Sequence, residues 1–382
     1  MKFLSSLSEN DLKSKTILLR CDLNVPVKNG IITDDTRIKH ILPTIQYLRK
    51  YDCKIHLISH FGRPKGQIIN DLSLEFLKPI LSEYISEQVD FKTGSNIILH
   101  ENLRFSPGEE SNDFEFAKQL ATLAAIYVND AFSACHRAHA SVSAITNFLP
   151  SYAGFGFEKE IKALEAIFLH PKKTVLALIG GAKISTKISI LKQIIPKVDH
   201  LILGGAMANT FLKAKGFETG KSLIEPDHID TALEIIEQSK KHACELHLPI
   251  DIISHESLDL DTQPSLFSIE GIPKNHMIFD IGPQTIKHYK SLLTTCKTIL
   301  WNGPLGVFEK PPYDHGTNEI ANIVAARTKS GQMTSVAGGG DTYSALNYAN
   351  AAQDFSYVSC AGGAFLEWLE GKELPGIIAL KL

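Results

Sequence analysis

Along the first 130 residues, short apolar runs alternate with longer stretches in which apolar positions recur every three to four residues. The runs fall at 16–21, 54–59, 96–100 and 126–129, and the helical periods at about 36–51, 73–87 and 113–123. Apolar runs this short read as strands buried on both faces. Their alternation with helices predicts βαβ units around a parallel sheet. After residue 155 the pattern restarts. A long helical period at 158–169 is followed by apolar runs near 175–179, 201–203, 249–253, 298–301, 334–336 and 357–359, with helical stretches between most of them. A second doubly wound parallel sheet is therefore expected. The glycine-punctuated SYAGFGF at 151–157 marks the boundary, giving domains 1–155 and 156–371 joined by the helix that follows it.

Composition narrows the class without changing this picture. The chain has 382 residues, 44% of them hydrophobic and 21% charged, as expected of a globular protein too long for one core. No apolar run approaches the roughly 20 residues of a membrane-spanning helix. The first 20 residues carry Glu9 and Asp11 rather than an apolar secretory core, so the expected address is the cytoplasm. The six cysteines are scattered, which predicts buried, reduced thiols rather than disulfides or a zinc ribbon. A net charge of −3 provides no general attraction to nucleic acid, so any anion site must be local.

Arginine usage locates such a site. The chain has seven arginines, and six of them (Arg20, Arg37, Arg49, Arg63, Arg104, Arg137) precede residue 140. Lysine supplies the other basic residues, so the planar, bidentate guanidinium is concentrated in the first half. Structural ion pairing is the alternative for any one of them and suits Arg49 and Arg327. In open parallel sheets ligands bind beyond the carboxyl ends of strands. The residues following the predicted strands of the first half are RCDLN (20–24), SHFGRPKG (59–66), ENLR (101–104) and NDAFSACHRAH (129–139), with Arg37 opening the first helix. Arg20, Arg37, Arg63, Arg104 and Arg137, with His60, His136 and His139, are expected to converge there on a small, multiply charged anion. A zinc reading of His136 and His139 lacks a third ligand at zinc spacing and has an arginine between the histidines.

The second half provides glycine turns instead: GGAKISTK (180–187), GGAMAN (204–209), NGPLGVFE (302–309), GGGDT (338–342) and AGGA (361–364). Backbone N–H groups at such turns approach phosphate closely, and Lys183 and Lys187 lie one helical turn apart. This predicts a nucleotide surface. Asp341 is the expected Mg2+ ligand and Thr342 a hydroxyl donor, although glycine pairs after strands also serve as plain tight turns. Two anion sites on two domains predict phosphoryl transfer. No motif supplies a general base, which points to an acceptor that is already ionised.

These motifs resemble phosphoglycerate kinase from end to end: RCDLNVP (20–26), DDTRI (34–38), SHFGRPKG (59–66), ENLRF (101–105), NDAFSACHRAHAS (129–141), GGAKISTK (180–187), NGPLGVFE (302–309), GGGDT (338–342) and LEGKELPGI (369–377). The resemblance implies a bilobal α/β fold of two Rossmann-like domains about a hinge helix, and a monomer. It also implies reversible transfer between 1,3-bisphosphoglycerate and MgADP, giving 3-phosphoglycerate and MgATP in glycolysis and gluconeogenesis. Asp22, Leu23, Asn24, Arg37, His60, Phe61, Gly62, Arg63, Arg104 and Arg137 would hold the phosphoglycerate. Arg37 and Lys183 would cover the moving phosphoryl group, and Lys187 would contact the nucleotide phosphates. Asn302, Gly339, Gly340 and Thr342 would lie along those phosphates, Glu309 would bind the ribose, and Asp341 the magnesium. Residues 372–382 would return to the first domain.

One motif departs from the family pattern: Cys360 and Ala361 stand where Thr-Gly is usual. This removes a hydroxyl and adds a methyl, with a changed rate and neutral repacking both open. Two rivals also stand open. A dinucleotide-dependent oxidoreductase would need the absent G-x-G-x-x-G fingerprint, and a non-catalytic nucleotide-binding protein would have to retain Arg37, Lys183 and Asp341 for no chemical reason.

Overall fold

The computed structural model describes residues 1–94, 96–259 and 262–381. The chain divides into two compact units, Met1–Lys162 with Lys372–Leu382, and Ala163–Gly371. Leu382 itself lies outside the described residues.

The first unit is built on six parallel strands, β1 (Thr16–Arg20), β2 (Lys54–Ile58), β3 (Val89–Phe91), β4 (Ile97–Leu99), β5 (Ile126–Asn129) and β6 (Ser151–Ala153), in the order β3-β4-β2-β1-β5-β6. β1 is central and reads TILLR, with four of its five residues buried, because helices cover both faces of the sheet. The helix Thr36–Arg49 turns Ile38, Ile41, Ile45 and Leu48 inward at the i, i+3, i+7, i+10 spacing of one helical face. The region 151–157, where the boundary is expected, opens with edge strand β6 and then enters the helix Phe155–Phe168, which runs across the division between the units.

The second unit carries β7 (Val175–Ile179), β8 (His200–Leu203), β9 (Glu245–His247), β10 (Thr298–Asn302), β11 (Thr334–Gly338) and β12 (Tyr357–Ser359), all parallel, in the order β9-β8-β7-β10-β11-β12. This is the doubly wound Rossmann order, whose direction reverses between β7 and β10. β7 is buried at all five positions (VLALI) and β10 likewise. The apolar run near 249–253 is not a member of this sheet, contrary to expectation. Asp251–His255 instead pairs antiparallel with Ser265–Ser268 and Met277–Ile281 in a separate three-stranded sheet, and the polar Glu245–His247 takes the edge position. Of the six cysteines, all free, five are buried and Cys360 is half-buried. No helix among the described residues is long and apolar enough to cross a membrane.

Candidate active site

Four adjacent strands of the first unit, β4, β2, β1 and β5, end at one edge, and the arginine and histidine loops leave from there. Arg20 ends β1 and is fully buried. Its Nε donates to Ser141 Oγ at 3.0 Å, its Nη2 to His60 Nδ1 at 2.9 Å, and its Nη1 to the Cys21 carbonyl. The expectation that Arg20 faces a ligand is corrected by these bonds: its guanidinium is committed to the protein interior and organises the residues around it. The partner Ser141 is fixed in turn by the buried Glu109, whose Oε1 accepts from Ser141 Oγ at 2.7 Å.

Because arginine only donates, His60 Nδ1 must accept, and the ring proton resides on Nε2. Burial, then the charges of Arg20, Arg104, His139 and Arg37, hold the His60 pKa well below its ordinary value. His60 is thus a neutral hydrogen-bond donor. His139 behaves similarly: burial first, then Arg104, Arg20 and Arg137, push it down to about 4.

Arg37, on the first turn of its helix, reaches back to the β1 loop. Its Nη1 donates to Asp22 Oδ1 at 3.1 Å and to the Asn24 carbonyl at 2.8 Å. Asp22 also accepts from Ser133 Oγ and from the Asn24 amide, and Asn24 Oδ1 accepts from the Gly62 amide at 3.0 Å. The loops after β1 and β2 are tied together at that point. Leu23 is buried beneath them, and its amide donates to Ser59 Oγ. Phe61 is half-buried and its amide donates to Asn102 Oδ1.

Arg104 is 6% exposed and its Nη1 donates to the Gly62 carbonyl at 2.7 Å. Its Nε lies 3.2 Å from Glu110 Oε1, yet the N–H is not aimed at the carboxylate, so a buried donor is left without a hydrogen bond. Burial is the main cause lowering the Arg104 pKa, with Arg137 and Arg20 adding to it against Glu110. Arg137 is half-buried beside His136. Arg63 is exposed and makes no hydrogen bond or ion pair among the described residues. Arg37, Arg104, Arg137, His60 and His139 are thus brought together, and Arg63 stands at their margin.

In the second unit the glycine loops follow β7, β8, β10 and β11, on either side of the reversal point. Lys187 is half-buried, and its Nζ donates to Asn302 Oδ1. Burial lowers its pKa, opposed by Asp341 and Glu370. Asn302 Nδ2 donates to the Gly338 carbonyl at 2.5 Å. Gly339 adopts φ 103°, and a Cβ there would come within 2.7 Å of Asn302 Nδ2, so conformation and space both demand glycine. Gly340 and Asp341 open the helix Gly340–Tyr348, leaving its first N–H groups directed beyond the strand.

Thr342 departs from expectation. Its hydroxyl donates to the Gly338 carbonyl at 2.8 Å and accepts from the Gly303 amide at 2.7 Å, and the residue is 1% exposed. That hydroxyl bridges the two loops, leaving only the backbone of Thr342 for a ligand. Lys183 is exposed. Glu309 and Asp341 both line a cavity of about 230 Å³, together with Gly181, Gly205, Leu305 and Val307. Among the described residues no hydrogen bond engages the Asp341 carboxylate, which suits a ligand to a hard cation that takes its other oxygens from phosphate and water. Ala361, in place of the usual glycine, is buried after β12, and its amide donates to Ser359 Oγ.

Ser133, Ser141 and Glu109 were not legible as site residues. Each supports Asp22 or Arg20 across more than 30 positions, and no local spacing signals such contacts.

Two parallel-sheet α/β units, one with clustered guanidinium and imidazole donors and the other with glycine-lined phosphate loops, define a two-lobed phosphotransferase. Comparison with known proteins makes this specific. The phosphoglycerate kinase family model matches residues 7–372. A phosphoglycerate kinase of Cereibacter sphaeroides is 47% identical, with 98% of each chain covered, and that of Novosphingobium aromaticivorans is 46% identical over the whole of both. The structure of phosphoglycerate kinase from Coxiella burnetii superposes with a TM-score of 0.92 at 40% identity, covering 99% of this chain and 98% of that one. The chain belongs to the phosphoglycerate kinase family. It is accordingly a kinase, catalysing reversible phosphoryl transfer between bisphosphoglycerate and ADP in glycolysis.

Proposed function

We propose that the first unit binds 3-phosphoglycerate or 1,3-bisphosphoglycerate and the second MgADP or MgATP, with in-line transfer after closure about the helix Phe155–Phe168. The observation that carries the division of labour is the chemistry of the first site. His60 is locked as a neutral donor among Arg37, Arg104 and Arg137, and Asp22 is engaged by Arg37 and Ser133, so neither is free to remove a proton. A hydroxyl acceptor would need a base, whereas the carboxylate of 3-phosphoglycerate does not.

The unbonded Nε of Arg104 provides a buried donor for an anionic oxygen. Arg137, His60, Arg63 and Asn24 bind the rest of the phosphoglycerate, with Asp22 positioning Arg37. Leu23, Phe61 and Gly62 shape the pocket, Gly62 by fixing Arg104 through its carbonyl. The Arg37 guanidinium and the exposed Lys183 approach the transferring group from their respective units. Lys187, Asn302 and the amides of Gly339, Gly340 and Thr342 hold the nucleotide phosphates, and Glu309 the ribose. Asp341 holds Mg2+, which neutralises charge on the phosphate oxygens when bound. Both anion sites belong to one chain, so a monomer suffices, and a cytoplasmic address suits glycolytic chemistry.

The test is ATP consumption dependent on 3-phosphoglycerate, with Mg2+ present. Nucleotide binding without transfer would favour the non-catalytic reading, and turnover of a nicotinamide dinucleotide without ATP the oxidoreductase.

A further inference from the structure

The second unit contains a group of side chains for which phosphoryl transfer has no use. His200 begins β8, and its partner in the parallel register is Glu245, the first residue of edge strand β9. His247 lies two residues further along β9, so all three project from the same face of the sheet. His200 Nδ1 is 3.2 Å from Glu245 Oε2 and 3.1 Å from His247 Nε2, and His247 Nε2 is 3.8 Å from Glu245 Oε2. Behind this triangle, His247 Nδ1 meets His288 Nε2, from the helix Pro283–Thr295, at 3.2 Å.

A proton on His200 Nδ1 can be donated to His247 Nε2 or to Glu245 Oε2, so hydrogen bonding joins these groups in pairs. A cation at the centre satisfies all three atoms together. Tetrahedral zinc with bonds of about 2.0–2.1 Å separates its ligand atoms by about 3.3 Å, close to the observed triangle. His247, once bound through Nε2, carries its proton on Nδ1 and donates it to His288 Nε2, an outer partner that fixes the ring. The side chains of His200 and His247 are 18% and 5% exposed, whereas that of Glu245 is 67% exposed, which leaves an entry path and room for a water as fourth ligand.

We propose that His200, Glu245 and His247, oriented by His288, form a site for one divalent transition-metal ion of the zinc class. The ion staples β9, a three-residue strand with a single neighbour, to β8. Two imidazoles and one carboxylate suit zinc, copper or nickel rather than magnesium. The site sits at the beginning of β8, roughly 10 Å of strand away from the glycine turn that follows it. Occupancy therefore raises thermal stability and leaves the phosphate loops alone.

The experiment uses the full chain, stripped with a chelator and titrated with zinc chloride by calorimetry, with cobalt(II) absorption reporting the coordination geometry. The expected result is one equivalent bound, a rise in melting temperature, tetrahedral cobalt bands, and no competition from Mg2+ at the same concentration. H200Q and E245Q should abolish binding, and H288Q should weaken it about 10–100-fold. Turnover with 3-phosphoglycerate and MgATP should be unchanged in E245Q, whose exposed side chain makes misfolding a minor concern. Zinc affinity unaltered by both H200Q and E245Q, displacement by equimolar Mg2+, or octahedral cobalt spectra would overturn the proposal. Should H200Q fail to fold, E245Q and the cobalt spectrum of the unmodified chain decide.

Discussion

Replacing Arg37 by alanine separates a structural role from a catalytic one, because the two differ widely in magnitude. The structural role can be read from the site. One guanidinium nitrogen, Nη1, makes the observed bonds to Asp22 and Asn24, and the side chain is 29% exposed. A partly exposed ion pair with one good carbonyl bond contributes about 1–2 kcal/mol to folding. In the proposed role, Nε and Nη2 serve the phosphoryl oxygens. An arginine that stabilises transition-state charge in phosphoryl transfer is worth on the order of 10³–10⁵ in turnover, or about 4–7 kcal/mol. Arg37→Ala should therefore lose little in a urea titration and nearly everything in kcat, measured as 3-phosphoglycerate-dependent ATP consumption at saturating substrates. Arg37→Lys, which keeps the charge but loses the fork, should fall between them. A kcat for Arg37→Ala within tenfold of the unmodified protein would refute the reasoning, whatever happened to KM.

Three other outcomes follow from the same site. Arg20→Met should cost about 3 kcal/mol of stability, read as a lowered urea midpoint, and free the His60 ring, raising KM for 3-phosphoglycerate, because buried partners lose a charged donor. An unchanged midpoint would contradict the interior role. Thr342→Val should lose about 1–3 kcal/mol and weaken nucleotide binding, while Thr342→Ser retains both, since the hydroxyl bridging Gly338 and Gly303 is what matters. Asp280 is pushed up to about 7 by burial, so the folded state holds a proton there that the unfolded state releases near 3.8. The folded pKa being the higher, this group's contribution falls as pH rises from about 4 to 7, by at most about 4 kcal/mol. Asp280→Asn should flatten that part of the stability curve, and an identical slope in the variant would place the titration elsewhere.

Much of this architecture could be read from the chain because buried parallel strands leave a strong mark. Runs such as TILLR and VLALI have no polar face to confuse them, and the chemistry of an open α/β sheet gathers where they end. Asp22, His60, Arg104, Lys187 and Asp341 could be picked out as candidates for that reason. What failed had a physical cause in each case. Glu245–His247 is a strand only by virtue of its neighbour β8, and an edge position tolerates polar residues that hide it. The apolar stretch near 249–253 resembles a sheet member, but its partners lie at 265–268 and 277–281 and run antiparallel. Arg20 has the same composition signal as the arginines of the pocket, and contacts distant in sequence, with Ser141 121 positions away and His60 40 positions away, reveal that it points inward. The hydroxyl of Thr342 looked available because sequence does not show that two loops meet at it.

The segment Lys372–Leu382 belongs to the first unit, where the Gly376 amide donates to the Cys135 carbonyl at 3.0 Å and a Cβ on Gly376 would lie 2.6 Å from Cys135 Sγ. Synthesis of the chain gives this contact a temporal meaning. When residue 162 leaves the ribosome, the first unit still lacks its closing piece, and the whole of Ala163–Gly371 must be translated before that piece arrives. The nascent first unit waits with the face around Cys135 and Val142 uncovered, while the second unit has all its own residues earlier. Domains ordinarily mature in the order of translation. In this chain the unit begun first is the one finished last.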